Sequence, residues 1–199
     1  EFVDLAAESI GGEALIASDE FFAPKENLLK PGRGVFIEDR YTARGKWMDG
    51  WESRRKRVPG YDWCIIKLGL PGVLRGFDVD TNHFRGNYPE ACSIEACTAP
   101  KDVTVEQLLE DAGAWETILE RSTLQGHSQN FFTIESERRF THLRLNIYPD
   151  GGVARLRVYG EVVPDWKWLT HFYGHRIDLA TVEHGGVVSA CNDMFFGSR

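Results

Sequence analysis

Thr141-His-Leu-Arg-Leu-Asn-Ile-Tyr-Pro-Asp-Gly-Gly-Val-Ala-Arg-Leu-Arg-Val-Tyr159 is the stretch on which the fold turns. Its hydrophobic period is two. Leu143, Leu145 and Ile147 share one face of an extended chain while His142, Arg144 and Asn146 share the other, the pattern of a sheet buried on one side. Pro149-Asp-Gly-Gly152 then fixes one φ and supplies residues that tolerate positive φ, after which apolar alternation resumes over 153–158. The pattern predicts two antiparallel strands joined as a hairpin.

The same period recurs outward from this pair. Residues 12–18, 63–68, 73–81, 92–97 and 131–134 all read as strands. One helix is signalled: Thr104 is placed to cap, with Gln107 three residues on, and Val105, Leu108, Leu109 and Ala112 form an apolar face that stops at Gly113. Many short strands with turn signals and little helix predict an all-β chain, an antiparallel jelly-roll β-sandwich, with a closed barrel as the alternative.

Hydrophobic content of 42% and charged content of 27% are those of a globular protein, and no apolar run approaches the roughly 20 residues that span a bilayer. With no signal-peptide layout at the N-terminus, the expected location is the cytoplasm, with a peroxisome as the alternative. The net charge of −7 argues against nucleic acid or an anionic membrane as partner. Cys64, Cys92, Cys97 and Cys191 lie in apolar runs without a CxxC pair and read as buried reduced thiols.

The chain also repeats itself. Asp4 to Phe22 recurs as Asp178 to Phe196 at a constant offset of 174, with eight of 19 positions identical, among them Gly11-Gly12 and Gly185-Gly186. A period this long suits two globular domains in tandem rather than a solenoid. Since Glu1 is not methionine and the second copy stops at Arg199, the expectation is a fragment. Residues 1–160 would be a first repeat, 161–177 a packed linker and 178–199 the start of a second repeat, within a full-length protein expected to be a homo-oligomer. Asp19, matched by Asp193, reads as a fold residue because it recurs.

Residues 19–62 break the strand pattern. A connection of this length inside a compact domain is functional or disordered, and Phe21, Phe22, Phe36, Trp47, Met48 and Trp51 supply apolar surface to hold it in place. Between Arg40 and Arg57 stand seven basic residues against two acidic ones, a positive segment in an acidic chain. Its densest part has Trp47 and Trp51 flanking Asp49, then Glu52, then Arg54, Arg55, Lys56 and Arg57. Guanidinium groups bind carboxylates bidentately, and aromatic walls strengthen such pairing by lowering the local dielectric, so the segment suits a small anionic ligand rich in hydrogen bonds. A solvated basic loop held by two core tryptophans is the plainer alternative. A second cluster, Asp80, Asn82, His83 and Asn87, sits where a strand ends, and His83 beside Asp80 has the composition of an oriented acid or base. The acidic residues between Asp102 and Glu120 read as a solvated face. His171 and His175 lack the Glu of a zinc-protease helix, and phosphate-cradling, nucleophile-elbow and dinucleotide motifs are absent.

Residues 4–30, 45–57, 61–87 and 141–160, taken together and in order, resemble the allantoicase family. The resemblance implies tandem jelly-roll repeats of the galactose-binding-like kind and hydrolysis of allantoate to ureidoglycolate and urea in purine breakdown. Allantoate carries a carboxylate and two ureido groups on one carbon, so releasing urea needs a proton delivered to the leaving nitrogen and one removed from water or from the other ureido group. On that chemistry Asp49 or Glu52 is the acid/base with His83 as partner. Arg54, Arg55 and Arg57 are candidates for the substrate carboxylate, with Trp47, Trp51, Asp80 and Asn87 completing the binding set. No metal is required, although Asp80, His83 and Glu52 are the donors one would use, and any cofactor is unknown. The competing readings are a non-catalytic module binding carbohydrate by stacking on Trp47 and Trp51, and a degenerate family member without activity.

Overall fold

The computed structural model describes residues 2–174 and 176–192. In chain order the strands are β1 (Val3–Asp4), β2 (Glu13–Ala17), β3 (Tyr41–Thr42), β4 (Gly45–Lys46), β5 (Trp51–Glu52), β6 (Asp62–Asp80), β7 (Ala91–Cys97), β8 (Glu116–Thr123), β9 (Gln129–Thr133), β10 (Arg139–Tyr148), β11 (Gly152–Val153) and β12 (Arg155–Val162). Among the described residues there are two α-helices, α1 (Val105–Glu110) and α2 (Trp166–Tyr173). None is long and apolar enough to cross a membrane.

The long strand β6 belongs to both sheets. Its first half pairs with β2 on one side and β10 on the other, and β10 continues to β7 and β8. Its second half pairs with β12 and β9, and β12 with β1. All of these pairings are antiparallel. The two expected strands 63–68 and 73–81 are therefore one strand that passes from sheet to sheet through Gly69-Leu-Pro-Gly72. A side chain at Gly69 would meet the Ile10 carbonyl at 2.5 Å, so only glycine admits the chain crossing there.

The hairpin expected from residues 142–158 does not form. β10 and β12 are not partners; each lies against a different half of β6, and Pro149-Asp-Gly-Gly152 carries the chain from one sheet to the other. The alternation was right and the pairing wrong, because period two fixes which face a residue takes but not which strand stands beside it. Leu143, Leu145 and Ile147 are fully buried between the sheets with Ile66, Phe77, Val79, Ile94, Leu156 and Val158. Burying each such side chain contributes about 1.5–3 kcal/mol. On the opposite face of β10, Arg144 pairs with Glu95 through two hydrogen bonds of 2.7 and 2.8 Å, and Asn146 donates to the same carboxylate.

Helix α1 starts at the expected box, with Gln107 N–H donating to Thr104 Oγ1 and Thr104 N–H to Gln107 Oε1. Leu108 is buried and Leu109 exposed, so the apolar face is narrower than expected. Strands β1 and β8, the short strands β3, β4 and β5 and helix α2 were not foreseen; β8 is a sheet edge whose alternation is obscured by charge, as edges often are. Glu116 and Glu120, expected on an acidic face, lie on it. Cys64, Cys92 and Cys97 are buried free thiols, whereas Cys191 is exposed.

The internal repeat is a repeat of backbone geometry as well as of letters. Ala6 N–H donates to Asp4 Oδ1 at 3.3 Å and Ala180 N–H to Asp178 Oδ1 at 2.9 Å. Gly11 and Gly185 have φ of 92° and 90°, and Gly12 and Gly186 donate to the carbonyls of Ala7 and Thr181. Copy one buries Leu5 completely, while its counterpart Leu179 is exposed. Asp193, Phe195 and Phe196, which complete the repeat in sequence, lie outside the described residues.

Candidate functional site

The long connection between β2 and β6 is ordered by its own side chains and by Leu28 and Leu29, which are buried in the core. Trp51 is 0% exposed, with its indole N–H donating to the Asp19 carbonyl at 2.8 Å. It is a core residue and offers no surface for a ring to stack on, which corrects its expected binding role. Trp47 is half-buried, with the Arg40 guanidinium 4.0 Å above its ring, so that face is occupied too. The stacking argument for a carbohydrate module loses Trp51, and one face of Trp47 is taken by Arg40.

Asp49 is likewise not free. It is 8% exposed, its Oδ2 accepts from Val35 N–H at 2.9 Å and from Arg155 Nη2 at 2.7 Å, and Arg155 Nη1 donates to its backbone carbonyl. Burial alone would raise its carboxyl pKa, but the hydrogen bonds from Arg155 and Val35 outweigh it and hold the group below the usual range. A carboxylate so paired is a poor acid or base, and the expectation for Asp49 is corrected to a structural role.

Glu52 differs in kind. β5 pairs with β11, setting Glu52 opposite Gly152, and the chain on either side is held by hydrogen bonds to Ala23 and Gly151. The side chain is 8% exposed; among the described residues no cation pairs with it and its one side-chain partner is Asn87 Nδ2, which donates to Oε1 at 2.7 Å. Burial raises its pKa, and the Asn87 hydrogen bond offsets only part of that. Glu52 and Asn87, 35 residues apart in sequence, are two predicted site residues that the fold brings together.

The remaining expectations divide. Asp80 is buried and clamped by Arg33 through bonds of 2.8 and 2.9 Å, and also accepts from Asn82 N–H. His83 is not its partner, so the Asp80–His83 pair is not formed. The His83 backbone, at φ 69°, donates N–H to His127 Nδ1 at 2.9 Å, and its ring lies 5.5 Å from those of Phe36 and His127. Burial, then neighbouring Arg85, His83 and Arg33, lowers the His127 pKa. Among the described residues no group of three or more His, Cys, Asp or Glu is placed to hold a metal, and His175 lies outside them.

Of the arginines, Arg54 is fixed on Asp19 by its backbone N–H and by Nε at 2.6 Å. Arg55 and Arg57 are exposed and unpartnered among the described residues. Together with Ser18, Lys56, Tyr61 and Asp62 they line a surface cleft of about 610 Å³. Asp62, whose Oδ1 accepts from Ser18 and Lys56, has a buried Oδ2 without a partner at that cleft. Sequence reasoning missed Arg33, Asp62, Asp78, His127, Arg155 and Arg157. The spacing Asp78-Val-Asp80 against Arg155-Leu-Arg157 was a visible signal of two neighbouring strands with opposite charges in register.

A bent sandwich with long loops at the strand ends is the galactose-binding-like jelly roll. Module CBM32-3 of a family 31 glycoside hydrolase from Clostridium perfringens superposes with a TM-score of 0.55 over 80% of this chain and 95% of its own, at 16% identity, a likeness of fold alone. Within that class the chain belongs to the allantoicase family, whose Allantoicase repeat matches residues 3–163. It is 50% identical over 196 residues to a Burkholderia mallei protein named probable allantoicase 1, covering 98% of this chain and 56% of that one. The crystal structure of allantoicase from Saccharomyces cerevisiae superposes with a TM-score of 0.82 at 37% identity, over 99% of this chain and 57% of that one. The chain thus spans somewhat more than half the length of these relatives.

Proposed function

We propose that the protein hydrolyses allantoate to ureidoglycolate and urea. The observation that carries this reading is the 50% identity across 98% of the chain to a relative bearing the allantoicase name. The chemistry of the residues agrees with it. Arg55 and Arg57 are unspent cations for the substrate carboxylate. Glu52, three residues before Arg55, is a carboxyl group whose raised pKa favours the protonated form. As the carbon–nitrogen bond breaks, Glu52 gives its proton to the leaving ureido nitrogen; water adds to the same carbon and returns a proton to Glu52. One water is consumed and one urea released, with no change of oxidation state. Asn87 holds the Glu52 carboxyl in place, and the His83 ring lies against those of Phe36 and His127. A cytoplasmic homo-oligomer is part of the same reading for the full-length protein.

The test is incubation of the purified protein with allantoate. Urea and ureidoglycolate should appear in equal amounts; turnover of neither, in a protein shown to be folded, would overturn the proposal.

A further inference from the structure

The outer face of the sheet β1-β12-β6-β9 bears charges that are buried instead of solvated. Antiparallel pairing sets Arg155 opposite Asp80 and Arg157 opposite Asp78. The segment 30–33 straps across them: Arg157 Nη2 donates to the carbonyls of Lys30 and Gly32, and Arg33 clamps Asp80. Beside this strap opens a cleft of about 410 Å³, a volume typical of small-molecule sites.

Two groups in the cleft wall are unspent. Asp78 is 1% exposed; its Oδ2 accepts from Gln129 Nε2 at 2.6 Å and its Oδ1 has no partner among the described residues. Arg155 is 3% exposed; its Nη atoms are committed to Asp49 and Ala154, and its Nε has no partner among the described residues. Buried polar groups left in this way call for a partner. Burial also pushes the Asp78 carboxyl above its ordinary range, with Asp80 adding to the effect.

We propose that this cleft binds an uncharged amide or ureido group, its N–H donating to Asp78 Oδ1 and its C=O accepting from Arg155 Nε. The charges lining the cleft select against alternatives. Asp4, Glu8, Asp78 and Asp80 outnumber Arg33, Arg155 and Arg157, which disfavours an anion. A guanidinium ion offers donors only, so it leaves Arg155 Nε unmet and adds a fourth cation beside three. A group with N–H next to C=O meets both needs and brings no charge. The site stands apart from Glu52 and requires no turnover.

Methylurea is the probe, titrated below denaturing concentration into ¹⁵N-labelled protein while the arginine Nε–H resonances are followed, that of Arg155 being assigned by its loss in Arg155→Lys. Methylurea and acetamide should shift it saturably, and methylguanidinium and acetate should not. In Asp78→Asn the new amide gives its carbonyl to Gln129 and turns NH₂ toward the cleft, so methylurea binding should weaken at least ~10-fold. An Arg155 resonance that does not respond, one that responds equally to methylguanidinium, or unchanged binding in a folded Asp78→Asn would overturn the proposal. The selectivity arm does not use Asp78→Asn, so misfolding of that variant leaves the question decidable. Allantoate turnover without methylurea binding would sink this site alone, and the reverse result would sink the catalytic reading alone.

Discussion

Removing the carboxylate of Asp49 should unfold this protein more readily, and do so through Arg155. In Asp49→Ala the Arg155 guanidinium stays buried, keeping its Nη1 bonds to the backbone carbonyls of residues 49 and 154 but losing the carboxylate 2.7 Å from Nη2. Breaking one partner out of a buried ion pair costs about 3–5 kcal/mol, because the remaining charge is left uncompensated in a medium of low polarity. Each kcal/mol moves Tm by roughly 2–4 °C in a domain of this size, so Asp49→Ala should melt about 6–20 °C lower. The double variant Asp49→Leu/Arg155→Met removes both charges and should recover much of that loss. Guanidinium titration followed by tryptophan fluorescence measures both, an equal m-value showing that only stability changed. A loss under about 1 kcal/mol in the single variant, or no recovery in the double, would refute the assignment of Asp49 to structure.

His142 is buried on the outward face of β10, and burial, with Lys67 nearby, lowers its pKa from 6.5 to about 4. The unfolded chain therefore binds the extra proton between these values, so stability should fall by about 3 kcal/mol as pH drops from 6.5 to about 4; equilibrium unfolding should show this, and His142→Gln should flatten it. Glu52 has the opposite sign: its folded pKa is raised above 4.5, so its contribution to stability is present at low pH and declines as pH rises through the folded value. Glu52→Gln should then melt no lower than the parent at neutral pH, which calorimetry can check. A methyl group at residue 12 would stand 1.9 Å from the Ala6 carbonyl oxygen, so Gly12→Ala should cost more than about 3 kcal/mol in chemical denaturation. Gly186→Ala meets the same clash at Ala180, but in a segment whose Leu179 is exposed, and its effect on the global melt should be much smaller.

What the sequence made legible is what alternation and capping control. The buried row Leu143, Leu145 and Ile147, the Thr104–Gln107 box and the strand character of β2, β7 and β9 all follow from local pattern. Pairing is not local. The supposed hairpin failed because β6, far upstream, takes both strands as partners, one on each half. The site shows the same limit. Asp49 and Glu52 are three residues apart and look alike as letters; only the fold gives one an arginine from residue 155 and the other an asparagine from residue 87. Trp51 was open to two readings from sequence, a stacking platform or an anchor of the loop, and it is the side chain that fastens the loop to the core. Composition did locate the basic segment, yet it could not separate Arg54, tied to Asp19, from Arg55 and Arg57, which have no partner among the described residues.

The most direct measurement is kcat for urea release from allantoate in Glu52→Gln beside the parent protein, with both melting temperatures recorded. Glutamine keeps the size of the side chain and an oxygen for Asn87 but carries no proton to transfer. If Glu52 performs the proton transfer, kcat should fall by about 10²-fold or more while the melting temperature holds. Parental turnover in a folded Glu52→Gln protein would contradict it.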